Sequence, residues 1–176
     1  VRPGIDRDAP IFLVGFMGAG KSAVGRVLAQ ALGRRFADTD ELVEAAAGCS
    51  IEAIFRERGE GRFREIEWEA LRGVAEGEGT VVATGGGLFL GTTQRDVIRR
   101  HGVSIWLDAP FDVVTLRLRD VACRPLWLGA DELDRRAMFE RRRAAYALAD
   151  ATVDAGSGDV DAVARRVASR WRALYR

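Results

Sequence analysis

Eight consecutive residues, Gly15-Phe16-Met17-Gly18-Ala19-Gly20-Lys21-Ser22, have the types and spacing needed to cradle phosphate. They match the Walker A pattern in the context it requires, after the apolar run Ile11-Phe12-Leu13-Val14 and at the start of a helical segment. Glycines let backbone N–H groups converge on an anion where a Cβ would block the turn or the approach. The N-terminus of the following helix adds unsatisfied donors and a partial positive charge. Lys21 can reach the outer phosphates, and the Ser22 hydroxyl can ligate Mg²⁺. Lys21 is the chain's only lysine, in a sequence whose other basic residues are arginine. A tight glycine turn with no ligand is the bland alternative.

Four further groups have chemical potential. Asp38-Thr39-Asp40 puts two carboxylates on one side of an extended chain, one for Mg²⁺ through water and one for a substrate hydroxyl. An aspartate turn with a helix cap at Asp40 is the competing account. Gly85-Gly86-Gly87 gives up backbone entropy at three successive positions, which close approach to a ligand would explain and a plain loop would not require. Arg64 precedes Glu67 by three residues, so on a helix the acid can hold the guanidinium as a fork for a carboxylate, or the two form an exposed pair. Arg117 and Arg124 flank or occupy a loop that could close over a nucleotide, whereas most loop arginines are solvated. In Arg141-Arg142-Arg143 one arginine is expected to face a site. The face Arg135, Phe139, Arg142, Tyr146 is not a simple surface stripe.

The elements that position these groups follow from periodicity. Val24, Val27, Leu28 and Ala31 mark a helix that Gly33 ends. A short strand at Phe36-Ala37 leads to a helix over 41–47. Ser50 caps another over 51–58 that Gly59 closes, and Phe63, Ile66, Ala70, Leu71 and Val74 trace a longer one. Strands are expected at 80–83, 103–107 and 151–153. Helices are expected at 93–100, from Pro110 in the first-turn position to about 119, and over 131–149. Asp159 caps a terminal helix with Val160, Val163, Ala164, Val167, Trp171 and Leu174 inward. Residues 120–131 read as a mobile loop and residues 1–10 as a flexible leader, with the missing initiator Met taken as a processed or trimmed start. Five strand–helix alternations imply an α/β fold with a five-stranded parallel sheet, helices on both faces, and ligands beyond the carboxyl ends of the strands.

The bulk numbers set limits. At 176 residues the chain fits one domain, 11–176 after the leader. Twenty-seven basic residues against 26 acidic ones give no global field for nucleic acid or a membrane. No run approaches the ~20 apolar residues of a membrane span, and no signal peptide is expected before Ile11. Cys49 and Cys123 lie far apart without metal-ligand spacing, as expected of reduced thiols in a cytoplasmic protein. His101, the sole histidine, ends a helix and is read as a surface residue.

Taken in order, the phosphate motif, Asp38-Thr39-Asp40, Phe63-Arg64, Gly85-Gly86-Gly87, Arg124-Pro125-Leu126, and Arg142 four residues before Tyr146 resemble the shikimate kinase family. The resemblance spans nearly the whole chain from Ile11. It implies a three-layer P-loop kinase fold of the nucleoside-monophosphate-kinase type with a mobile lid at about 120–131. It further implies transfer of the γ-phosphoryl of ATP to the 3-hydroxyl of shikimate by a monomer, with Mg²⁺. On that resemblance Gly18, Ala19, Gly20, Lys21, Ser22 and Ala23 hold ATP, with Arg117 and Arg124 facing it, and Ser22 and Asp38 serve the metal. Asp40, Arg64, Gly85, Gly86, Gly87 and Arg142 bind the acceptor, while Lys21, Asp40 and Arg124 carry the catalysis. Phe55 and Phe63 wall the ring, and Glu60 and Glu67 support the arginines. Ala23 and Trp127 depart from the family's commoner residues, which bears on ATP affinity. A gluconate or nucleotide kinase and a non-catalytic ATP-binding regulator are the rival readings.

Overall fold

The structure, a computed structural model, describes residues 6–119 and 131–175. The expected loop over 120–131 lies outside the described residues apart from Asp131, and with it Cys123, Arg124, Pro125, Leu126 and Trp127.

Five strands, β1 (Ile11–Val14), β2 (Arg35–Asp38), β3 (Thr80–Ala83), β4 (Val103–Asp108) and β5 (Ala151–Asp154), form one parallel sheet in the order β2-β3-β1-β4-β5. Parallel strands covered on both faces must be apolar throughout, and β1 and β3 are buried at every position. The edge strand β5 alternates buried and exposed instead. Register decides where the chemistry lands. Leu13 and Asp38 both pair with Ala83, so the turns leaving β1, β2 and β3 emerge side by side at one edge. The chain leaving β1 runs to β2 on one side, and that leaving its neighbour β3 runs to β4 on the other. The connections therefore diverge there, as ligand crevices of open α/β sheets require.

The helices are α1 (Lys21–Leu32), α2 (Thr39–Ala47), α3 (Ile51–Ala75), α4 (Thr92–His101), α5 (Phe111–Arg117), α6 (Glu132–Tyr146) and α7 (Val160–Ala173), with a 3₁₀ turn at Leu88–Leu90. Most of the core lies between sheet and helices. A smaller cluster of Val43, Ile54, Phe63 and Ile66 sits between α2 and α3. Gly59, with φ 76 and ψ 170, is non-helical and kinks α3 into two helical segments, at the break expected from the sequence. No helix among the described residues is long and apolar enough to cross a membrane.

Several boundaries differ from those read in the sequence, each for a local reason. α2 begins at Thr39 rather than 41, because Asp38 caps it by accepting from the Asp40 N–H at 2.9 Å. Pro110 is the residue before α5 rather than its first helical residue, and α5 ends at Arg117. α6 stops at Tyr146 instead of 149. The turns that follow bring the Asp150 carboxylate onto the N–H and Oγ of Ser104 in β4, both at 2.8 Å. Val160 opens α7 and is exposed, not inward.

Residues 6–10 are tied down rather than loose. The Asp8 carbonyl accepts from Gly79 N at 2.6 Å and the Pro10 carbonyl from Val103 N at 3.0 Å. Arg34 donates to the carbonyls of Ala9 and Arg7 while stacking on Trp171. His101 ends α4, exposed, with Nδ1 near the Val97 carbonyl.

Candidate active site

The turn after β1 needs the left-handed backbone that glycine tolerates: φ is 139 at Gly15, 77 at Gly18 and 93 at Gly20. α1 then starts at Lys21 without a side-chain cap and without an acid in its first turn, so its N-terminal donors face an open cradle. Lys21 is 9% exposed and folds back over the turn, donating to the carbonyls of Gly15 at 2.9 Å and Phe16 at 2.8 Å. Arg117 spans the other side, donating to the carbonyls of Gly18, Ala19 and Ala155. Arg124 belongs to the residues not described.

Asp38 does two jobs at the end of β2. One oxygen caps α2, and the other accepts from Ser22 Oγ at 2.5 Å. The expectation of an extended Asp38-Thr39-Asp40 is therefore corrected: the chain turns into a helix at Thr39, and Asp38, not Asp40, is the cap. Asp40 is left half-buried in the first helical turn, directed at the loop after β3.

That loop carries the three glycines, and none has a positive φ. Space is what they supply. A Cβ on Gly85 would stand 2.7 Å from Asp40 Oδ1 and 2.9 Å from Glu67 Oε1. One on Gly87 would stand 2.8 Å from Arg64 Nη1, and one on Gly86 3.2 Å from Met17 N with Arg142 Nη1 at 3.8 Å. The triplet is thus where the acid, the two arginines and the phosphate turn meet. Thr39 is a residue the sequence reading missed: fully buried, it accepts from Gly85 N at 2.7 Å through Oγ1 and ties this loop to α2. A short polar residue between two acids was the available signal. Gly85 therefore cannot offer its N–H to a ligand. The N–H groups of Gly86 and Gly87 have no partner among the described residues.

Arg64 is held by two acids on its own helix, by Glu67 at 2.7 Å and by Glu60 at 3.0 Å. Burial acts to lower its pKa, but hydrogen bonds and charge from Glu67 and Glu60 outweigh that and raise it. Glu67 is only 5% exposed, so the pair is not a solvated one. Burial pushes the Glu67 carboxyl up, more than the Arg64 contact pulls it down, and Asp40 adds to the rise. The rings of Phe55 and Phe63 lie 4.7 Å apart beside Arg64.

Across the loop, Arg142 on α6 stands over the Phe16 ring at 5.4 Å. Arg143 instead binds Asp108, and Arg141 is exposed, so one arginine of the three faces the site. Tyr146 donates to the Gly86 carbonyl at 2.5 Å and is fully buried. Burial pushes its phenol up to about 12, against the opposing pull of Arg142. An unfolded tyrosine ionises near pH 10, so between the two values the native state holds more protons and stability must fall as pH rises. Thermal unfolding followed from pH 9 to 12 should reveal a loss of about 2–3 kcal/mol that Tyr146→Phe abolishes.

Lys21, Ser22, Asp38, Asp40, Gly86 and Arg117 all line a single cleft of about 320 Å³. A phosphate turn at the centre of a β2-β3-β1-β4-β5 parallel sheet, opening onto a carboxylate and two arginines, defines a P-loop kinase of small molecules. Comparison with known proteins narrows the class. The family model for shikimate kinase matches residues 17–172, and the chain belongs to that family. It is 44% identical over 158 residues to a shikimate kinase of Cereibacter sphaeroides, covering 89% of this chain and 79% of that protein. With the shikimate kinase of Symbiobacterium thermophilum identity is 49%, over 79% of this chain and 82% of the relative. Among solved structures, shikimate kinase from Acinetobacter baumannii in complex with shikimate superposes with a TM-score of 0.90 at 32% identity. It covers 96% of this chain and 95% of that one. A gluconokinase from Sinorhizobium meliloti shares only the fold, at 18% identity and TM-score 0.58.

Proposed function

We propose that the protein transfers the γ-phosphoryl group of ATP to the 3-hydroxyl of shikimate, giving shikimate 3-phosphate and ADP. The observation that carries this reading is the meeting of Asp40, Arg64 and Arg142 at three glycines bordering the phosphate turn. A cyclic hydroxy acid fits that arrangement from both ends. Its carboxylate suits two guanidinium forks, and its alcohol suits Asp40 in the cleft shared with Lys21. In-line transfer asks the protein for positioning and charge, and for no covalent intermediate. Asp40 orients the alcohol and accepts its proton as the oxygen–phosphorus bond forms and ADP leaves. Lys21 exchanges the carbonyls of Gly15 and Phe16 for phosphate oxygens. Gly18, Ala19, Gly20, Ser22 and Ala23 line the anion with Arg117 beside them, and Arg124, outside the described residues, is assigned to ATP with them. Gly86 and Gly87 offer N–H groups to the acceptor, with Gly85 giving it room.

The Ser22 hydroxyl and the Asp38 carboxylate meet at 2.5 Å beside the cradle, a pair of hard oxygen donors that suits Mg²⁺. No group of three acidic, histidine or cysteine side chains among the described residues makes a full metal cage, in keeping with an ion that takes one or two protein oxygens and completes its shell with phosphate and water. Bound there, it would neutralise charge on the phosphate oxygens. We infer a cytoplasmic monomer, which size-exclusion chromatography with light scattering tests for mass. The decisive experiment is a coupled assay for ADP. Shikimate-dependent release is expected, with gluconate and nucleoside monophosphates inert as acceptors. ADP release with gluconate and none with shikimate would overturn the assignment.

A further inference from the structure

Arg142 reaches the acceptor pocket from α6, a helix whose first turn, Glu132, Leu133 and Asp134, is exposed. Something must fix the roll of such a helix about its axis. A roll of about 20° moves a side-chain tip 6 Å from the axis by roughly 2 Å. Misplacement of about 1 Å can already cost 10²-fold in rate.

The neighbouring residue supplies the constraint. Arg143 forms a fork with Asp108, Nη1 to Oδ1 at 2.6 Å and Nη2 to Oδ2 at 3.1 Å. Its guanidinium stacks over the Trp106 ring at 5.0 Å and lies 5.6 Å from the Phe139 ring. Asp108 is the last residue of β4, and its carbonyl accepts from Ala155 N at 2.8 Å, so the anchor belongs to the sheet. Bidentate geometry, a stacked guanidinium and partial burial separate this pair from an ordinary surface bridge. Successive helical residues lie 100° apart, so holding Arg143 against β4 turns Arg142 toward Phe16 and Gly86. The Tyr146–Gly86 bond pins the last turn of the same helix.

We propose that Arg143 and Asp108 are a positioning pair for phosphoryl transfer, fixing the roll of α6 so that Arg142 meets the carboxylate of the hydroxy-acid acceptor. This rests on the role given to Arg142 above. The test is steady-state kinetics of the full chain with shikimate and ATP varied separately. Arg143→Met and Asp108→Asn should each raise KM for shikimate about tenfold and leave KM for ATP within about twofold. Arg143→Lys should recover only part of the loss, since an ammonium cannot make both bonds of the fork. Combined with Arg142→Ala, Arg143→Met should add nothing, because the pair acts through Arg142. An unmoved shikimate KM, equal rises for both substrates, or additive losses would overturn the proposal. If Arg143→Met does not fold, Arg143→Lys decides by the same split between the two KM values. An inactive wild-type protein would instead count against the kinase reading itself.

Discussion

Asn in place of Asp40 is expected to lower kcat by about 10²–10⁴ with KM for ATP within about twofold. The substitution keeps the shape that fills the space above Gly85, where a carboxylate oxygen comes within 2.7 Å of a Cβ position. It also keeps a hydrogen-bonding group for the acceptor's alcohol. What it removes is the capacity to take a proton. Stability should not fall with activity, because Asp40 raises the pKa of the buried Glu67 by charge repulsion and Asn relieves that. A melting temperature equal to or above that of the wild type, together with the loss in kcat, identifies a chemical rather than a folding defect. A decrease under about tenfold would mean that transfer needs orientation here and no proton acceptor, as a loose transition state allows.

What the sequence made legible, and what it hid, divides along the range of the interactions involved. The phosphate turn is local. Its glycines, Lys21 and Ser22 are adjacent in the chain, and the flanking strand and helix carry their own periodicities. β3 at Thr80–Ala83 and the stop of α1 at Gly33 were readable for the same reason. The choice between Asp38 and Asp40 as helix cap was not. Either acid can cap, and the register that pairs Asp38 with Ala83 settles which one ends the strand. Spacing placed Glu67 next to Arg64 but could not give its depth, which depends on what α3 packs against. The three glycines looked like a surface for a ligand. Half of their reason lies instead in protein side chains: Asp40, Glu67 and Arg64 occupy the volume that Cβ atoms would claim. Residues 6–10 have a loop-like composition, yet carbonyl bonds to Gly79, Val103 and Arg34 hold them, and composition cannot reveal partners that are distant in the chain.

Arg64→Ala is expected to cost at least about 3 kcal/mol in transition-state stabilisation, hence about 10²-fold or more in kcat/KM, mainly through KM for shikimate. On the proposed role of Arg64, the acceptor's carboxylate loses one of its two forks. The more diagnostic consequence falls on Glu67. In the wild type, burial already raises this carboxyl, and the hydrogen bond and charge of Arg64, with a smaller pull from Arg142, oppose the rise. Without Arg64 only the charge of Arg142 still opposes it, leaving a 5% exposed acid beside Asp40, and its pKa must climb further. A carboxyl whose folded pKa lies above its unfolded value of about 4.3 binds more protons in the native state, so stability is held at low pH and lost as pH rises through the folded value. The variant should therefore melt at a higher temperature near pH 5 than at pH 8. Glu67→Gln placed on top of Arg64→Ala should flatten that dependence and restore stability while leaving the catalytic loss in place. A variant whose melting temperature is indifferent to pH across that interval would show that Glu67 stays charged without its arginine. In that case groups other than Arg64, Arg142 among them, would be what keeps the buried Glu67 ionised.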